Sequence, residues 1–147
     1  MITDPISLLN YEHAVLRVRF QAVLQCVDTE RGWKMLEELH NFVVNWHARI
    51  EDKYVFPILE GMGINLKPLS NDHLLIEKYG NSVLRERRKD WVERYAKIVM
   101  DHNLNEEKLF PPKLDNAEVM KAILEEMREF SGYYEFTGLS EYDLPQF

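Results

Sequence analysis

Cysteine occurs once in the 147-residue chain, at Cys26. One thiol cannot form an internal disulfide, which fits a reducing compartment, and it excludes a thiolate metal cluster, which needs several sulfurs. Cys26 alternates with apolar residues late in a predicted helix, where a small core filler is expected. Long apolar runs are missing too, so nothing is expected to span a membrane. Met1-Ile2-Thr3-Asp4-Pro5 has neither the basic region nor the apolar stretch of a signal peptide. The expected location is therefore the cytoplasm. Positive charge is scarce: the formal net charge is -7, which argues against general affinity for nucleic acid or anionic membranes. The one basic run, Arg85-Glu86-Arg87-Arg88-Lys89, reads as a solvated helix end. No nucleophile elbow, phosphate loop, dinucleotide fingerprint or His-Glu-x-x-His protease motif occurs, so hydrolase chemistry has no support.

What is present is helical periodicity, with no competing β pattern. Asp4-Pro5 gives a capping side chain and a proline at the first helical position. Ile6, Leu9, His13, Leu16, Phe20, Val23 and Val27 then recur at spacings of three and four. Asp28-Thr29 and Gly32 break the pattern. A second stripe runs Leu36, Leu39, Val43, Trp46/His47, Ile50, Tyr54 and Ile58, and Pro57 is expected to end or kink it. Gly61-Met62-Gly63 makes a loop. A third stripe starts near Pro68 with Leu69, His73, Ile76, Gly80 and Val83/Leu84. Asp90 with Glu93 resembles a capping box for a fourth, formed by Trp91, Tyr95, Ile98, His102, Asn105/Glu106 and Leu109. Asp115 and Glu118 signal a shorter fifth helix ending near Gly132. The pattern predicts an all-α, up-down-up-down four-helix bundle over about residues 5–110. A short C-terminal helix and an aromatic tail follow over about residues 113–147, and the whole chain is expected to form one domain. The tail aromatics, Tyr133, Tyr134, Phe136, Tyr142 and Phe147, are expected to pack along the bundle, or to fill a dimer interface.

The chemistry lies in one phrase written twice. His47-Ala48-Arg49-Ile50-Glu51-Asp52-Lys53 and His102-Asn103-Leu104-Asn105-Glu106-Glu107-Lys108 each place a histidine four residues before a glutamate and lead to Phe-Pro. Residues four apart stack on one helix face, so each copy aims an imidazole and a carboxylate at one point. His13 follows Asn10-Tyr11-Glu12 and His73 follows Asn71-Asp72, so each half reads as an acid next to a histidine, then His-x-x-x-Glu. At about 1.5 Å rise per residue, His13 and His73 lie roughly 12 and 8 Å from the Pro5 and Pro68 ends. His47 and His102 lie about 15 and 14 Å from Pro57 and Pro111, with Glu51 and Glu106 one turn nearer. In an up-down bundle these six groups fall in one slab.

A lone core histidine is ordinarily a hydrogen-bonded one. Six polar groups on apolar stripes are another matter, because an unpaired buried group costs roughly 1–3 kcal/mol. A metal pair would compensate them. Imidazole with carboxylate suits iron, manganese or zinc. Two glutamates available to bridge would give each metal two histidines and two carboxylate oxygens. An oxo or hydroxo bridge would add a fifth ligand and leave a position open for dioxygen, peroxide or nitric oxide. His40 lies two turns before His47, about 10 Å further from that slab, and is expected to be structural or at the surface. Glu37-x-x-His40 matches one half of a ferritin-like phrase that needs two copies. Tyr54 is expected to pack at the bundle end and Tyr11 to lie off the ligand face.

From about Leu8 to Pro111 the pattern resembles the hemerythrin-like, HHE cation-binding family of non-haem di-iron bundles. The resemblance implies that His13, His47, Glu51, His73, His102 and Glu106 are iron ligands, with Glu51 and Glu106 bridging two irons. Oxygen-carrying hemerythrins have a fifth histidine four residues after the first on the third helix, where this chain has Glu77. Their last carboxylate follows its histidine by five residues. Glu107 has that spacing here, whereas the repeat with Glu51 selects Glu106. The chain therefore looks closer to a four-histidine branch, which includes proteins implicated in iron–sulfur cluster repair under nitrosative stress and in iron or oxygen sensing. Glu77 is left as a further ligand, an acceptor behind the ligands or a salt-bridge partner. The function expected is binding of, or reaction with, a small diatomic ligand or peroxide, for sensing, scavenging or iron donation. The alternatives are a metal-stabilised interaction module with a protein partner and a reversible oxygen carrier, as monomer or homodimer.

Overall fold

The computed structural model describes residues 1–147. Helix α1 spans Pro5–Gln25. Asp4 caps it as expected, its carboxylate accepting from the backbone N–H of Ile6 and Ser7. The same carboxylate accepts from Leu114 N–H at 3.0 Å, tying the start of α1 to the segment that follows the fourth long helix. Helix α3 is Lys67–Glu86 and α4 is Lys89–Leu109. Between α1 and α3 runs α2, one helical rod over residues 30–61. It is assembled from α segments Glu30–Phe42, Ala48–Ile50 and Phe56–Gly61 and π segments Val43–His47 and Glu51–Val55. Each long helix packs on its chain neighbour, and α4 closes the ring against α1. Short connections make this an all-helical bundle with successive helices reversing direction. Helix α5, Ala117–Glu129, and a short α6, Tyr133–Thr137, follow.

The stripes of α1 and α3 stand as far as Val23 and Val83: Ile6, Leu9, His13, Leu16, Phe20 and Val23 are buried, as are Leu69, His73, Ile76, Gly80 and Val83, whereas Val27 lies past the end of α1 and it and Leu84 are only half-buried. In α2 the stripe changes phase. A fixed step of four from Ile50 leads to Tyr54 and Ile58, but these are only half-buried, and Val55 and Leu59 point inward instead. The π turn over Glu51–Val55 inserts one extra residue and rotates everything beyond it. It also explains why Pro57 neither ends nor breaks the rod. Proline has no N–H to donate and its ring crowds the carbonyl four residues back, so a widened turn just before it relieves both demands. In α4 the inward positions are Val92 and Val99, one residue from the expected Trp91 and Ile98, while Asn105 and Leu109 are exposed.

Three start signals moved. Gly32 does not break α2 but sits in its first turn, where Thr29 caps it and a Cβ would overlap the Cys26 carbonyl. Helix α4 begins at Lys89 without a side-chain cap, and Asp90 pairs with Arg88 rather than forming a box. Asn116, not Asp115, caps α5 by accepting from Val119 N–H at 3.0 Å. Cys26 is half-buried at the end of α1, its thiol donating to the Ala22 carbonyl.

The segment after α5 lies along α1 and α2. Phe136 stacks on Phe42 with centroids 4.2 Å apart, Arg19 sits over Phe136, and Tyr11 donates to the Thr137 carbonyl at 2.7 Å. Tyr133, Leu139 and Leu144 are buried, whereas Tyr142 and Phe147 stay exposed. No helix is long and apolar enough to cross a membrane.

Candidate metal centre

Four histidines, one from each long helix, converge on the bundle interior together with Glu51 from α2 and Glu106 from α4. Both carboxylates are fully buried, and the histidines are at most 9% exposed. Two groups form: His13, His47, Glu51 and Glu106, and Glu51, His73, His102 and Glu106. Within each group the candidate ligand atoms all lie within 4.8 Å of one another.

The carboxylates belong to both groups by different oxygens. Glu51 Oε2 is 3.4 Å from His47 Nε2 and its Oε1 is 3.0 Å from His73 Nε2. Glu106 Oε1 is 2.9 Å from His13 Nε2, and its Oε2 is 3.2 Å from His102 Nε2. Donor atoms held at about 2.1 Å from one ion with near-tetrahedral or right angles stand about 3.0–3.4 Å apart. Five of these inward atoms, both oxygens of Glu51, Glu106 Oε2, His73 Nε2 and His102 Nε2, have no hydrogen-bond partner. His73 Nε2 and Glu51 Oε1 stand 3.0 Å apart without the geometry of a hydrogen bond. Nitrogen and oxygen lone pairs converging in a dry interior, each group otherwise costing about 1–3 kcal/mol, fit a cation of intermediate softness.

The outward face of each imidazole is equally ordered. His47 Nδ1–H donates to Glu12 at 2.8 Å, His73 Nδ1–H to Asp52 at 2.9 Å, His102 Nδ1–H to Asp72 at 3.1 Å and His13 Nδ1–H to Glu107 at 3.2 Å. Each bond fixes the tautomer that leaves Nε2 facing inward and increases its basicity. The pattern has twofold logic. The acid preceding the first histidine of each half, Glu12 or Asp72, holds the second histidine of that half. The acid following each buried glutamate, Asp52 or Glu107, holds the first histidine of the other half. These four roles were not assigned from the sequence, although all four acids lie inside the repeated phrases.

The electrostatics are those of a site built for positive charge. Burial alone would lower the histidines, but neighbouring carboxylates outweigh it. Glu51, Glu106 and Glu12 hold His47 well above its ordinary value, and Asp52, Glu106 and Glu51 bring His73 up to about 11. His102 is raised against burial by Glu106 and Glu51. Burial pushes Glu106 up, yet its contacts with Glu51 and the histidines hold it well below the usual carboxylate range.

A model of the hemerythrin HHE cation binding domain matches residues 4–114. The chain belongs to that family. No curated protein and no solved structure matches it. The matched span of this hemerythrin domain begins and ends at the bonded pair Asp4 and Leu114, and α5 and α6 lie beyond it.

The hemerythrin domain places Glu107 at the wall, bonded to His13, and Glu106 at the centre. Glu77 is exposed on α3 and outside both groups. It lines a groove of about 560 Å³ between α2 and α3, together with Asp52, Ser70, His47, His73 and His102. His40 is buried but remote from the metal groups. Tyr95 donates to its Nδ1 at 2.5 Å and its Nε2–H donates to Asn81 at 2.9 Å, so it pins α2 to α3 and α4.

Proposed function

We propose that the chain binds two iron ions, one in each histidine–carboxylate group, and that the pair binds or reacts with dioxygen, nitric oxide or peroxide in the cytoplasm. Sensing, scavenging and iron donation all use that step. In this reading His13, His47, Glu51, His73, His102 and Glu106 are the ligands. The observation that carries it is the set of unpartnered inward atoms shared between two groups by two carboxylates. When bound, a redox-active pair would supply electrons and a Lewis-acidic position for the small ligand, with His13, His47, Glu51, His73, His102 and Glu106 holding it; manganese or zinc would satisfy the same donors.

The chain's own residues do the rest. Glu51 and Glu106, which belong to both groups, would hold both ions. The four outer acids orient the imidazoles. The apolar shell, with Leu9, Leu16, Ile50 and Val99 all buried, excludes bulk water. The groove reaches three of the four histidines but not His13, which gives a small ligand a path to the His73 and His102 side. Buried Asn103, next to His102, is among the residues lining that groove, and its amide nitrogen has no hydrogen-bond partner. This path favours ligand chemistry over a sealed, purely structural metal core.

The test is reconstitution with ferrous iron under anaerobic conditions, followed by separate exposure to dioxygen, peroxide and nitric oxide. Two irons per chain and a bridged-ferric absorption band that shifts with azide are expected. Binding of one iron or none sinks the reading. Stable reversible oxygenation would establish a carrier instead.

A further inference from the structure

The four outer carboxylates are not equivalent. Asp52, Asp72 and Glu107 keep 45%, 40% and 35% of their side-chain surface, so water completes their solvation. Glu12 keeps none. Its oxygens are satisfied by the protein alone. Oε1 accepts from His47 Nδ1–H at 2.8 Å, and Oε2 accepts from Trp46 Nε1–H at 2.9 Å and from the Tyr133 hydroxyl at 2.6 Å. A buried carboxylate depends on such donors, since removing one leaves a charged group short of a partner. Trp46 belongs to α2. Tyr133 belongs to α6, outside the matched hemerythrin span. Its ring is buried 5.1 Å from that of Trp46 and 6.0 Å from that of Phe42, and its hydroxyl has Glu12 as its one partner.

We infer that Tyr133 is a positioning residue for the metal centre: through Glu12 it fixes the His47 imidazole, so that docking of the C-terminal segment 131–147 and metal occupancy are energetically linked. The inference rests on reading the site as a metal centre. Linkage is reciprocal. Whatever the docked segment adds to metal affinity, bound metal adds to the docking of the segment. The effect is confined to the His13 and His47 side, because the carboxylates behind His73 and His102 receive nothing from the C-terminal segment.

Zinc(II), which has no redox chemistry, is the probe. Hydrogen exchange across residues 131–147 is measured on the full chain without metal and with zinc, together with the rate of zinc loss to a chelator. Zinc is expected to slow exchange in the segment. Tyr133→Phe, which deletes only the hydroxyl, is expected to speed loss of one of two zinc ions by about 3–10-fold, less than the roughly 10–100-fold for removing a partner directly bonded to a ligand, and to weaken the protection. Tyr134→Phe, one residue away and not bonded to Glu12, should do neither. Trp46→Phe removes the other donor to the same oxygen and should reproduce the selective loss, which keeps the test intact if Tyr133→Phe folds poorly. Wild-type protein that takes up no zinc overturns the metal reading and this inference together. Two bound zinc ions with equal exchange in both states, and wild-type zinc loss from both variants, overturn this inference alone.

Discussion

Glu106 and Glu107 are adjacent and chemically alike, yet the fold gives them opposite tasks. Glu106 is fully buried and faces all four histidines or their shared space; Glu107 is exposed at the wall and touches only the outer nitrogen of His13. Glu106→Gln removes the charge from the centre of both groups. It should reduce bound metal from two ions per chain to one or none, read by metal analysis after gel filtration. Glu107→Gln should keep two ions and weaken the one in the His13 and His47 group by roughly 10–100-fold, as loss of a partner behind a ligand does. Equal loss from both variants would remove the distinction between four- and five-residue spacing. The six candidate ligands were legible because imidazole and carboxylate on an apolar stripe break the hydrophobic pattern. The outer acids were not, because a surface aspartate such as Asp52 or Asp72 leaves no mark in periodicity: what sets it apart is the ring it meets on another helix.

At the scale of elements, α1 and α3 follow regular helical phase from end to end, and their inward faces could be read by counting. Helix α2 could not. Nothing in residues 43–55 announces two π turns, and the phase they add depends on seating His47 and Glu51 against the other helices while passing Pro57. The tie between α2, α3 and α4 at His40 depends likewise on a neighbour from outside its own helix. Gly80 lies against the His40 ring, where a Cβ would overlap it and come within 2.8 Å of Tyr95. That ring cannot move aside without losing the bond to Tyr95 or to Asn81. Gly80→Ala therefore sets about 1 kcal/mol of gained helix propensity against about 1–3 kcal/mol of overpacking and a threatened buried hydrogen bond of about 1 kcal/mol. The clash should win. A lower melting temperature is expected in both metal-free and metal-loaded protein, with two ions still bound. An unchanged or higher melting temperature would mean that the His40 ring has room the structure does not show.

Over the whole molecule, protons and metal compete for the same cavity. Without metal, His73 titrates at about 11 and His47 and His102 lie above their ordinary value, so the folded chain binds more protons than the unfolded chain at neutral pH. A histidine whose folded value is raised contributes stability that is complete below about 6.5, its unfolded value. That contribution is lost as pH climbs through the folded value. His40 acts in the opposite sense and in a different window: burial lowers it, so its contribution is present above about 6.5 and fades on acidification. Metal-free protein should therefore melt at progressively lower temperature from pH 7 to pH 9. Metal replaces the protons on the inward nitrogens, so its binding releases them and tightens as pH rises, by about 1.4 kcal/mol per pH unit for each proton released. The gap between metal-free and zinc-loaded melting temperatures should consequently widen between pH 7 and pH 9, and zinc addition in weak buffer should acidify the solution. Parallel melting curves with no proton release would show that the cavity holds its two glutamates by some means other than charge, and the metal reading would lose its electrostatic basis.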